Sequence, residues 1–129
     1  MRTQDQKRAE HAYGQVKGIL SQGDKKKIKF KTLALKFPAM VLQCGLLQTL
    51  AFYDSQNDKE VYNAVTGWLA KQPLLAPGQQ SQQQEANFLA QVYRAELGPY
   101  RLLSREALAY GTWLKRAAEV LLKDVQGAD

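Results

Sequence analysis

Residues 39–53, AMVLQCGLLQTLAFY, set the tightest limit on what this chain can become. A helix over them is apolar nearly all round, and such a helix belongs in the buried centre of a bundle. The run is too short for a membrane span, and Gln43, Gly45 and Gln48 interrupt it. Pro38 fits the first turn of this helix, where its missing N–H costs nothing. Gly45 in a helix interior costs about 1 kcal/mol against Ala, so it marks a place where a neighbouring helix comes close. On this reading Gly45→Leu overpacks the bundle and destabilises it by about 1–3 kcal/mol.

The segments on either side read as partners for that helix. Residues 4–22 carry Ala9, Ala12, Tyr13, Val16, Ile19 and Leu20 at amphipathic spacing. Thr3 and Gln6 have capping-box spacing at the start, and Ser21-Gln22-Gly23-Asp24 stops the helix. Residues 25–37 read two ways. Lys27 to Lys31 alternates like a strand, whereas Phe30, Leu33, Ala34 and Phe37 fit a helical stripe. No second strand signal exists to pair with the first. A loop leading into a short helix is therefore expected.

Asp54 to Asp58 forms a polar turn, and residues 58–71 a helix with Val61, Tyr62, Val65, Trp68 and Leu69 on one side. Pro73, Pro77 and Gly78 break it. Gln79 to Gln84 has five glutamines in six residues and is either a mobile loop or the uncapped start of the next helix. That helix, 82–97, turns Phe88, Leu89, Val92, Tyr93 and Leu97 inward and ends at Gly98-Pro99. Ser104 then reads as an N-cap, with Glu106 in the first turn of the last helix. Its stripe is Ala107, Tyr110, Leu114, Ala117 and Leu121, widened by Trp113 and Ala118. Lys115, Glu119 and Lys123 lie four apart on the outer face, and Gly127 begins a frayed end. The expectation is all-α: a compact bundle of five to six helices with a nearly all-apolar central helix, forming one domain over 1–129. A chain of 129 residues can bury enough surface to hold such a core without staples.

Charge is uneven along the chain. Residues 1–36 hold ten basic and three acidic residues, a net of +7, and the remainder holds eight basic and nine acidic, a net of −1. The densest part is Lys25, Lys26, Lys27, Lys29 and Lys31. Such a cluster is a footprint for phosphates or another anionic surface, or else a solvated loop. The opening MRTQDQKRAEH lacks the apolar run of a signal peptide, so a cytoplasmic location is expected.

Catalytic constellations are missing. One cysteine and one histidine exclude a disulfide, a zinc finger and a two-histidine metal site. Cys44 falls inside the most apolar run, where a thiol acts as a small hydrophobe, and His11 occupies a polar position of the first helix. Asp54, Asp58 and Glu60 read as a loop and a helix cap, and no Gly-rich phosphate loop is present. The expectation is a non-enzyme with no cofactor and no metal. The aromatic residues fall mostly on core stripes. Phe30 stands within the lysine run, where anchoring that segment to the bundle is the preferred reading and stacking on a base the alternative.

Three stretches together resemble a known family. They are Arg8-Ala9-Glu10-His11-Ala12-Tyr13-Gly14-Gln15-Val16, then Phe37-Pro38 through Gly45-Leu46-Leu47 to Leu50-Ala51-Phe52, then Tyr100-Arg101 through Glu106-Ala107-Leu108 to Trp113-Leu114-Lys115-Arg116. In that order they are similar to the small all-helical subunit of the Cmr complex, the type III-B CRISPR RNA-guided effector. Ser104 stands where that family often has Thr, and Gln79–Gln84 carries no family motif.

The resemblance implies a non-catalytic subunit in antiviral defence. Its copies stack beside the backbone subunits that hold the guide RNA and help form the groove where target RNA pairs. Cutting and signalling belong to the backbone and large subunits. It implies RNA-backbone contacts through Lys25, Lys26, Lys27, Lys29 and Lys31, with Arg101, Arg105, Lys115 and Arg116 as further candidates. Partners would be the other Cmr subunits, guide RNA, target RNA and further copies of the chain, with no membrane. The alternative is a helical adaptor whose basic segment docks on an acidic partner.

Overall fold

The computed structural model describes residues 1–73 and 88–125. Among the described residues there are six helices: α1 (Gln4–Ile19), α2 (Asp24–Cys44), α3 (Leu46–Asp54), α4 (Glu60–Ala70), α5 (Phe88–Arg94) and α6 (Leu97–Leu121). No strand occurs among those residues, and the fold class is all-α as expected. The features read at Pro77, Gly78, Gln79–Gln84, the start of the 82–97 helix and Gly127 lie outside the described residues.

The start of α1 follows its sequence signature. Thr3 Oγ1 accepts from the Gln6 N–H at 3.1 Å, and Gln6 Oε1 accepts from the Thr3 N–H at 2.7 Å. Two orphan donors of the first turn are thereby satisfied. Ala12, Val16 and Ile19 are buried, while Leu20 lies past the helix and is exposed.

The second segment departs from the expectation. Residues 24–44 form one helix, so Lys25–Lys31 is neither loop nor strand but the opening two turns of α2. The helical stripe prevails: Phe30, Leu33, Ala34, Phe37 and Val41 are all buried. Pro38 lies inside this helix rather than opening the next one. A proline there removes a backbone bond and disfavours a helical Phe37. Packing on both sides overrides that bias. The Phe37 ring meets Tyr53 edge-on with centroids 5.4 Å apart, and Tyr53 Oη donates to the Leu33 carbonyl at 2.6 Å.

The single apolar helix expected over 39–53 is two helices jointed at Gly45. Gly45 has φ +84° and ψ 162°, a backbone region that L side chains rarely adopt. No neighbouring helix presses on it, since the nearest atom to a built Cβ is Tyr100 Oη at 3.8 Å. That same hydroxyl accepts from the Leu47 N–H at 3.0 Å and caps α3, which Gly45 has no side chain to do. Nor is the run buried all round. Leu42 is 72% exposed, and Cys44 and Phe52 also face solvent.

The element against which the others pack is α6, which touches α1, α2, α3 and α4. It begins at Leu97, so Gly98 and Pro99 sit in its first turn instead of ending α5, and Leu97 is exposed. A first-turn proline loses no helical bond. Ser104 is interior rather than a cap, and its Oγ donates to the Tyr100 carbonyl at 2.9 Å. Of the expected stripe, Ala107, Tyr110, Leu114, Ala117 and Ala118 are buried, joined by Leu103, while Trp113 and Leu121 are half-buried.

α1 lies along α6, tied to it by Asp5–Trp113, Arg8–Glu106 and His11–Tyr110. α2 runs antiparallel to α6, joined at Lys31–Val125, at Phe37–Gly111 and, just beyond its end, at Leu47–Tyr100. The close approach expected at Gly45 occurs at Gly111, where a Cβ would lie 2.5 Å from Phe37 Cδ2.

Candidate nucleic-acid interface

The opening of α2 concentrates positive charge where a helix least favours it. Gly23 is the N-cap and offers no side-chain bond, and Asp24, Lys25, Lys26 and Lys27 follow. The N-terminus of a helix carries partial positive charge, so each lysine there costs about 0.3–1 kcal/mol rather than stabilising. Uncapped N–H groups and lysines together form a surface that favours an anion.

The helical period then sorts the lysines. Lys25 and Lys29 are four residues apart and share one exposed line with Lys36, a residue outside the run that the sequence singles out. That line spans about 16 Å at 1.5 Å per residue. Lys27 and Lys31 lie on the flank near the core and are half-buried. Lys31 Nζ donates to the Val125 carbonyl at 2.7 Å, beyond the end of α6, so this ammonium is engaged inside the fold. Among the described residues Lys25, Lys26, Lys29 and Lys36 enter no ion pair.

On α6, Arg101, Arg105 and Arg116 share an exposed line, while Lys115 is half-buried. Arg116 Nε lies 3.7 Å from Glu119 Oε1, which replaces the Lys115–Glu119–Lys123 pairing expected on that face. The antiparallel packing does not gather the nine candidate residues into one patch. Lys25 to Lys31 sit at the Val125 end of α6, whereas Arg101 and Arg105 sit at the Tyr100 end, roughly the length of α2 away, about 30 Å.

A second charged centre leaves no trace in the sequence, because its members are far apart along the chain. The Arg8 guanidinium grips Glu106 with two bonds, Nε–Oε2 at 2.7 Å and Nη2–Oε1 at 2.8 Å. Trp68 Nε1 donates to Glu106 Oε2 at 2.8 Å, so α1, α4 and α6 meet on one carboxylate. Glu106 is thus mid-helix and structural, not a first-turn charge. Arg8 and Trp68 hold its carboxyl below the ordinary range against the opposing effect of burial. Trp113 Nε1 donates to Asp5 at 2.9 Å and Arg8 reaches it at 3.1 Å, which together lower the Asp5 carboxyl as well.

Beside this centre, Trp68 and Tyr110 stack with centroids 5.4 Å apart at 8°. His11 leans on both rings, and its Nδ1 lies 2.7 Å from Tyr110 Oη. Burial, then the nearby Lys71 charge, pushes the imidazole down from its ordinary value. His11 is thereby part of an aromatic cluster, while Cys44 is exposed at the end of α2, not buried as expected. No group of three or more candidate metal ligands occurs among the described residues. Asp58 Oδ1 accepts from the Glu60 N–H at 3.0 Å and closes the start of α4, the capping role read for that turn. No helix among the described residues is long and apolar enough to cross a membrane.

Comparison with known proteins agrees with this architecture. The family model for the CRISPR-associated protein Cas_Cmr5 matches residues 4–121. The CRISPR system Cmr subunit Cmr5 of Thermus thermophilus is 37% identical over 125 residues, covering 96% of this chain and 100% of that one. A crystal structure of a CRISPR-associated Cmr5 family protein from Thermus thermophilus superposes with a TM-score of 0.73 at 32% identity. That superposition covers 93% of this chain and 98% of the other.

Proposed function

The chain belongs to the CRISPR-associated Cmr5 family, and from that premise we propose that it is a non-catalytic structural subunit of a type III-B Cmr effector, working in the cytoplasm. In this reading it binds RNA backbone and neighbouring subunits, and copies stack along the assembly. Base pairing between guide and target supplies specificity, so this subunit needs only phosphate contacts, which position a strand without reading it.

The observation that carries the RNA reading is the start of α2. Lys25, Lys26 and Lys29 are exposed, enter no ion pair among the described residues, and stand at or near an uncapped helix N-terminus. They do nothing for the fold that neutral residues would not do better. An RNA backbone would relieve both the mutual repulsion and the unfavourable dipole. Arg101, Arg105 and Arg116 offer a second line, suited to a neighbouring stretch of strand or to an acidic subunit face. Leu42 and Leu97, 72% and 62% exposed, lie at the Tyr100 end and suit contact with another subunit or copy.

Gentle purification of the tagged chain from its native cell tests the assembly. Co-purification of a ladder of RNA-binding subunits with short guide RNAs is the expected result. Recovery of the chain alone, or with one unrelated acidic protein, would replace this reading with an adaptor.

A further inference from the structure

A groove of about 630 Å³ opens between the start of α1 and the end of α4. The helical period builds its two walls. Gln4, Lys7 and His11 lie on one face of α1 at spacings of three and four, and Trp68, Lys71 and Gln72 lie on one face of α4 and its last turn. Gln4 Nε2 donates to Gln72 Oε1 at 2.9 Å and ties the walls together.

The charged groups here are almost all donors. Glu10 is the one carboxylate lining the groove among the described residues, and Arg2 already holds it. Lys7 and Lys71 come from different helices, face the same space and enter no ion pair among the described residues.

His11 adds a neutral donor. The Tyr110 hydroxyl is fully buried, and its hydrogen-bond partner is His11 Nδ1. A buried phenol must place its proton on an acceptor, so it donates to Nδ1. The imidazole proton then sits on Nε2, and His11 lines the groove. Trp68, 6% exposed, supplies a dry wall rather than a stacking platform.

Two ammoniums outside any ion pair, an imidazole N–H and a carboxylate already held by Arg2 suit a ligand with several acceptor oxygens and no donors. Lysine ammoniums bind phosphate as point charges, and Arg2, whose fork would grip a carboxylate or a phosphate, is already engaged by Glu10. We propose that the α1–α4 groove is a phosphate-binding site separate from the α2 lysines. Its occupant is a phosphate group, either a phosphodiester of a bound strand or a free phosphate.

The single histidine makes this testable on the intact chain, because one imidazole signal reports on the groove. His11 would be followed by proton NMR while inorganic phosphate, or a short single-stranded RNA, is titrated in at constant ionic strength. The expected result is a saturable shift with a rise in the His11 pKa, since a bound anion opposes Lys71. Lys7→Gln with Lys71→Gln should weaken it by about tenfold or more, the loss of charge-assisted bonds. Lys25→Gln with Lys29→Gln and Lys36→Gln should leave it unchanged, which separates this site from the RNA reading above. Saturation by RNA at the lower concentration assigns the site to a strand, and saturation by inorganic phosphate alone assigns it to the free ion. A shift reproduced by sodium chloride, a shift absent with both probes, or one abolished by the α2 changes would overturn the proposal.

Discussion

The first turns of α1 and α2 both carry a mixture of charges, and the two helices use them in opposite ways. In α1, Asp5 and Arg8 are spent inside the molecule, on Trp113, Glu106 and each other. In α2, Asp24 is followed by lysines that enter no ion pair among the described residues, and Lys31 alone reaches inward, to a backbone carbonyl. The charge count of a segment therefore says little about its role. Position on the helix decides whether a cation closes the fold or is left for a partner. Arg8 lies where α1 meets α6, whereas Lys25, Lys29 and Lys36 lie opposite the buried stripe.

The comparison breaks most easily at Glu106. Glu106→Ala strands the Arg8 guanidinium and the Trp68 N–H, and should lower stability by about 2–4 kcal/mol in denaturant melts. That is somewhat below the cost at a fully buried pair, because both partners keep some solvent contact. A loss under about 0.5 kcal/mol, the range of ordinary surface changes, would mean that the α1 charges are as dispensable as those of α2.

Next come the two glycines, which separate close packing from backbone strain. Gly111→Ala should cost about 1–3 kcal/mol, because its Cβ would meet the Phe37 ring at 2.5 Å. Gly45→Ala should cost a similar amount, about 1–3 kcal/mol, from its positive φ alone. Gly45→Leu should then add little beyond Ala. A Leu cost far above the Ala cost would restore the overpacked central helix that the sequence suggests.

Those two positions show what the sequence can and cannot disclose. The stripes of α1, α4 and α6 and the Thr3–Gln6 box are legible because their residues are neighbours on one helix. The courses of α2 and α6 are not. Pro38, Gly98 and Pro99 are local break signals, and only packing shows that α2 runs through one and α6 starts at the others. The lysines of the candidate interface are visible as a run. Their division into an exposed line and an inner flank requires knowing that the run is helical, and Lys36 joins the line only then. The groove behind His11 needs residues about sixty positions apart and leaves no local trace.

A smaller effect is set by acidity. Because Arg8 holds Glu106 below its ordinary value, the pair stabilises fully above the usual carboxylate pKa of about 4.3. That stabilisation is lost as pH falls through the lowered folded value. Thermal melting followed downward from neutral pH should therefore drop more steeply for the natural chain than for Glu106→Ala. Parallel curves would remove Glu106 from the account.

The smallest stability effect belongs to the lysines, whose predicted role is outside the fold. The variant Lys25→Gln, Lys29→Gln, Lys36→Gln would be compared with the natural chain for its melting temperature and for binding to single-stranded RNA across a range of salt. Each lysine on a phosphate adds about 0.7 to the slope of log affinity against log salt. Stability should stay level or rise by up to about 1 kcal/mol, because Lys25 leaves the first turn of α2, and the slope should flatten by about 2. An unchanged slope, or a variant that melts as early as Glu106→Ala, would contradict a role outside the fold, because the α2 lysines would then be serving the fold and not a strand.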